Sequence, residues 1–121
     1  MVADFVSQTG CDLLAVAVGN VHGLDIEPKV DLPLLEQISK ISPVPLVMHG
    51  GSGIPFDIIQ KAREFNLLKV NYGSDLRKAF VSTFGQAYEA NHNACSVYRI
   101  KYWSCWKCKW KAAELVTIIN S

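Results

Sequence analysis

The chain has 121 residues, half of them apolar, and a formal net charge of +1. That composition is enough to bury a core and excludes a disordered tail, while the near-zero charge selects no class of charged partner. No apolar run approaches the ~20 residues needed to cross a bilayer. Residues 1–5 lack the basic start and long apolar centre of a signal peptide. Three of the four cysteines crowd into residues 95–108, unlike a secreted disulfide framework. A cytoplasmic location is expected.

Residues 2–8 are expected to close a helix that stops at Thr9-Gly10, where glycine accepts the left-handed conformation. Residues 13–18 form a continuous apolar run, which predicts a strand buried on both faces, as in a parallel sheet. A loop over 20–30 follows. Asp31 suits an N-cap, and Leu34, Leu35, Ile38 and Ile41 mark one face of a helix. Pro43 and Pro45 bracket the turn into a second strand at 46–48.

The glycine-rich loop at Gly50, Gly51, Ser52 and Gly53 comes next. Pro55 can open a helix with Ile58, Ile59, Ala62 and Phe65 inward. A third strand is expected at 67–70. Ser74 is a plausible N-cap for a helix through Phe84, with Leu76, Ala79, Phe80 and Phe84 inward. Strand and helix thus alternate three times, which implies α/β architecture with parallel strands, as either a doubly wound sheet or part of a barrel. A full (β/α)8 barrel needs about 250 residues, so this chain would be roughly half of one.

Composition changes near Asn91. Residues 1–90 carry seven Lys/Arg and ten Asp/Glu, whereas residues 91–121 carry five and one, together with all three tryptophans. The expected division is therefore 1–90 and a divergent aromatic and basic tail, 91–121. In that tail, 97–103 looks strand-like and 112–119 looks like a short helix.

The chemistry gathers at strand ends, where parallel α/β folds bind ligands. His22 and His49 both lie at such ends, each followed by glycine. Neighbouring strands are about 4.8 Å apart, so two imidazoles at matching heights can reach a common ion. Each histidine alone is more simply a polar residue at a strand end, and the equivalent positions are what favour metal binding. Gly50 to Gly53 precedes a helix, where backbone N–H groups can cradle an anion. Asn71 to Ser74 offers a second such turn.

Residues 9–23 (TGCDLLAVAVGNVHG), 45–55 (PLVMHGGSGIP), 69–71 (KVN) and 74–77 (SDLR) resemble the class II, zinc-dependent ketose-bisphosphate aldolases, the family of fructose- and tagatose-bisphosphate aldolases. The resemblance covers roughly residues 1–90. It implies the last three β/α units of a partial (β/α)8 TIM barrel. It also implies cleavage or condensation of a ketose 1,6-bisphosphate to and from dihydroxyacetone phosphate and glyceraldehyde 3-phosphate. Position by position, it makes His22 and His49 two of three zinc-binding histidines. It makes Gly23, Gly50, Gly51, Ser52, Asn71, Tyr72, Gly73 and Ser74 substrate-binding. Many relatives have an acidic residue or alanine where Gly73 stands, which leaves only its backbone for such a role.

The third zinc ligand and the catalytic aspartate of the family are not matched. His92 lies in the divergent tail, and Asp25 and Glu27 do not match the catalytic acid. The chain is therefore expected to be inactive alone, as part of a longer enzyme whose small-molecule substrate is a phosphorylated ketose. A half barrel exposes two strand edges, so a second copy or a complementary N-terminal half is the expected protein partner. The alternative is a non-catalytic half-barrel fragment or phosphate-binding remnant. Cys105-Trp106-Lys107-Cys108 is a CxxC without the strand context of a redox site, and only Cys95 and His92 could complete a zinc knuckle. Nucleic-acid binding by the basic aromatic tail ranks behind these, because the stretch is short and the rest of the chain is mildly acidic.

Overall fold

The computed structural model describes residues 1–23, 26–92 and 96–120. Asp25 and Cys95, weighed above as an acid and as a metal ligand, lie outside the described residues, as does the side chain of Trp103. The chain divides into two compact units, Met1–Tyr72 and Gly73–Ser121.

The first unit is α/β. Its elements run α1 (Val2–Thr9), β1 (Leu14–Val16), α2 (Leu32–Ile41), β2 (Leu46–Met48), α3 (Phe56–Arg63) and β3 (Leu67–Val70). The three strands form one parallel sheet in the order β1-β2-β3. Helix α1 ends where expected: Gly10 takes φ 64° and donates its N–H to Val6. Helix α2 starts at the expected cap, since Asp31 Oδ1 accepts from the Leu34 N–H at 2.9 Å.

The core lies on one face of the sheet. Leu14, Leu46 and Leu67 pair across the strands, as do Val16, Met48 and Val70. Both rows pack with Val18, Leu35, Ile54, Ile59 and Ala62. The alternate row is Ala15, Val47 and Lys69, of which only Val47 is buried. Between the paired residues of β3, Leu68 is an extra residue that bulges out 68% exposed.

Two expectations are corrected here. The first strand is shorter than 13–18, and it is not buried on both faces: Leu13, Ala15 and Ala17 are exposed. It is an edge strand, covered by helices on one side, so its apolar run marks only half-burial. On α2, Leu35 is fully buried but Leu34 and Ile41 are 39% and 57% exposed, because the stripe meets the sheet along a single line.

The second unit is a pair of helices, α4 (Ser74–Ala90) and α5 (Val97–Asn120), packed along each other. Ile100 and Ser104 are buried in it, and Cys108 donates its thiol to the Leu76 carbonyl at 3.3 Å. Helix α4 runs past Phe84 to Ala90, and α5 is continuous where a strand at 97–103 and a separate short helix at 112–119 are expected. The alternation of bulky and basic residues mimics a strand. A helix satisfies every backbone group internally, and Ile100, Ser104 and Cys108 at four-residue spacing supply its buried line. No helix among the described residues is long and apolar enough to cross a membrane.

Candidate functional site

Parallel strands end at the same edge of the sheet, so the segments following β1, β2 and β3 are gathered there. His49 directly follows Met48 of β2, and Asn71 directly follows Val70 of β3. His22 is reached through the loop that leaves β1. The sheet brings the two histidines together: their ring centres are 6.0 Å apart with 48° between the planes. Two imidazoles on one tetrahedral zinc ion, each bound at about 2.1 Å through nitrogen, place their centres roughly 5 Å apart. The pair is slightly wider than that, and both rings are exposed. Among the described residues no group of three or more His, Cys, Asp or Glu side chains gathers here.

Asn71 holds His49 twice over. Its main chain continues the ladder past the strand end, taking the Asn71 N–H to Met48 O at 2.8 Å and the Gly51 N–H to Asn71 O at 3.0 Å. Its side-chain Nδ2 lies 3.1 Å from His49 Nδ1. Two arrangements satisfy that contact. With the amide nitrogen donating, Nδ1 is bare and Nε2 carries the proton. With the amide turned over, Nδ1–H donates to Oδ1 and the Nε2 lone pair faces outward. Only the second leaves Nε2 able to bind a metal.

The glycine turn is shaped by close backbone approach. Gly50 has φ 64°, and a Cβ there would stand 2.2 Å from the Val21 carbonyl oxygen. At Gly51 a Cβ would meet Val70 Cγ1 at 2.4 Å and the Tyr72 ring at 3.2 Å. The turn after β2 therefore lies flush against the loop carrying His22 on one side and the end of β3 on the other. Two N–H groups of this turn are engaged within the protein, Gly51 with Asn71 and Ile54 with Gly51 at 3.2 Å. Ser52 is 3% exposed, below the surface of the turn. Gly23 follows His22 with φ 103°.

Gly73 and Ser74 fall in the second unit. Gly73, not Ser74, is the N-cap of α4. Ser74 is the first helical residue, and its hydroxyl accepts from Arg77 at 3.4 Å instead of capping a backbone N–H. His92 packs against Tyr88 beyond the end of α4, ring centres 5.1 Å apart. Cys105 and Cys108 lie within continuous α5, one exposed and one half-buried, with free thiols.

Sequence reasoning misses Asn20. Its Oδ1 accepts from the Val18 N–H at 2.7 Å, and its Nδ2 donates to the His49 carbonyl at 2.8 Å. The available signal was an asparagine just past an apolar run, a type that bonds the nearby backbone.

The sequence model of class-II fructose-bisphosphate aldolase matches residues 1–116. The solved structure of the YdjI aldolase from Escherichia coli K12 is 29% identical with a TM-score of 0.79, over 99% of this chain and 43% of that one. The fructose-bisphosphate aldolase (Fba) structure from Campylobacter jejuni has a TM-score of 0.73 at 20% identity, over 98% of this chain and 43% of that one, a likeness of fold. The chain thus spans less than half the length of these structures. The family match also extends into the segment after residue 90, where composition changes.

Proposed function

The chain belongs to the class-II fructose-bisphosphate aldolase family, and from that premise we propose that it forms part of a zinc-dependent aldolase acting on a ketose 1,6-bisphosphate. The three β/α units are read as the last three of a (β/α)8 barrel, with the Ala15, Val47 and Lys69 row facing its interior. The observation that carries the reading is the His22–His49 pair, ring centres 6.0 Å apart, with His49 directly after β2 and His22 in the loop that leaves the adjacent parallel strand β1.

His22 and His49 would hold the zinc ion, and their donor chemistry fits it, since neutral imidazole nitrogens are preferred zinc ligands. When bound, the ion supplies Lewis-acid stabilisation of the negative charge that develops on the ketone oxygen as the carbon–carbon bond breaks. The rest falls to the chain. Asn71 orients the His49 ring and, with Tyr72, borders the ketose. Gly23, Gly50, Gly51 and Ser52 line the approach of the phosphorylated end, where the lack of side chains lets the substrate come close to the backbone. Anchoring that end converts binding energy into alignment at the reacting carbons.

Cleavage also requires a group to take the proton from the hydroxyl at the breaking bond. No residue of this chain is assigned that role, so the 121-residue chain alone is proposed to be inactive. Edge strands β1 and β3 would pair with a complementary part of the barrel or with a second copy. A cytoplasmic setting belongs to the same reading. The rival reading is a phosphate-binding fragment without catalysis.

Zinc titration with a chromophoric competitor tests the metal site. Binding that is abolished by both His22→Ala and His49→Ala is expected. Binding indifferent to both substitutions overturns the site. Cleavage of fructose 1,6-bisphosphate by the purified chain overturns the inactivity.

A further inference from the structure

We propose that Asn20 is a positioning residue that clamps the loop carrying His22 to the strand end carrying His49 and thereby sets the separation of the His22 and His49 imidazoles. The inference rests on the reading that both histidines serve one metal ion.

The regular ladder between β1 and β2 ends at the Val16–Met48 pair. Past that point the two chains must diverge, because β1 leaves into the loop that carries His22. The Asn20 amide fills the gap. A side-chain amide has the same donor and acceptor as a peptide unit, and here it bridges Val18 N–H and His49 C=O at 2.7 and 2.8 Å. Its orientation is unambiguous. A backbone N–H only donates and a backbone carbonyl only accepts, so the oxygen must face Val18 and the nitrogen must face His49.

The clamp is anchored at its β1 end. Val18 is fully buried, and its carbonyl accepts from the Asp31 N–H at 2.8 Å, at the start of α2. Beyond it, Gly50 lies against the Val21 carbonyl so closely that no Cβ fits. The backbone that follows His49 therefore touches the backbone that precedes His22. On its other side, the segment around His49 is held by main-chain bonds to Asn71. On the β1 side the Asn20 side chain supplies a polar link to His49. Loss of that amide should release the His22 loop while leaving β2 and β3 paired.

The test compares Asn20→Ala and Asn20→Asp with the unaltered chain and with His22→Ala and His49→Ala. Asn20→Asp keeps the acceptor for Val18 but loses the donor to His49, so it remains informative if Asn20→Ala fails to fold. Three quantities are measured: zinc affinity by chelator competition, nuclear Overhauser contact between the two histidine rings in the metal-free chain, and thermal unfolding. Both Asn20 variants are expected to lose the ring-to-ring contact and about 10- to 100-fold in zinc affinity, the size typical of lost support behind a metal ligand. Their β2–β3 amide signals should stay unchanged. Zinc affinity within about threefold of the unaltered chain, or an intact ring-to-ring contact in Asn20→Asp, overturns the clamp. Zinc binding that ignores both histidines overturns the metal reading instead, and the ring-to-ring contact then still decides whether Asn20 sets their separation.

Discussion

The side-chain amide of Asn71 lies 3.1 Å from Nδ1 of His49, so a residue leaving one strand fixes the ring carried by the next. Which atom of Asn71 faces the ring decides which imidazole nitrogen is free. A metal held through Nε2 requires Nδ1–H to donate to Asn71 Oδ1. Asn71→Ala is therefore expected to weaken zinc binding by about 10-fold or more while leaving the fold intact. Nitrogen chemical shifts of His49 should show the tautomer mixture change in the metal-free chain. An unchanged mixture with unchanged affinity would remove Asn71 from the site.

Gly10 and Gly50 share φ 64° but differ in their surroundings. A Cβ on Gly10 meets nothing within 4 Å, whereas one on Gly50 meets Val21 O at 2.2 Å. Gly10→Ala should cost only the left-handed backbone penalty, about 1 kcal/mol. Gly50→Ala should cost at least about 2 kcal/mol, because the same penalty is joined by displaced backbone. Urea unfolding of the two variants side by side measures the difference.

Asp31 joins α2 to the strand before it. Its side chain caps Leu34 N–H and its own N–H bonds the Val18 carbonyl. Asp31→Ala removes the first bond and keeps the second. A loss of about 1 kcal/mol is expected, with Asp31→Asn close to the unaltered chain. Thermal unfolding provides the comparison.

Ser104 is fully buried in the helical unit, and its hydroxyl has no hydrogen-bond partner among the described residues. A buried hydroxyl without a partner carries an uncompensated desolvation cost. Ser104→Ala should leave stability unchanged or raise it by about 1 kcal/mol, and Ser104→Val tests whether the site has room. A marked drop in Tm for the alanine variant would mean that the hydroxyl is satisfied in solution.

The sequence by itself determined the alternation of strands and helices in the first unit, the limits of β2 and β3, the Asp31 cap and the stop at Gly10. These depend on local periodicity and on the backbone freedom of single residues, which short windows of sequence contain. It also singled out His22 and His49, although only His49 directly follows a strand and His22 lies in the loop beyond β1, and it marked the motifs around them as those of the family. Tertiary structure alone decided the rest. The burial of β1 depends on which face a helix covers, and an apolar run does not encode that. The start of α5, residues 97–103, looked strand-like because alternation over a few residues cannot be told from a helix until its buried line is known. The bonds of Asn20 and Asn71 to His49 span 29 and 22 positions of sequence. Only the closure of the parallel sheet brings those groups within hydrogen-bonding distance, so the supports of the histidine pair had to be found in three dimensions.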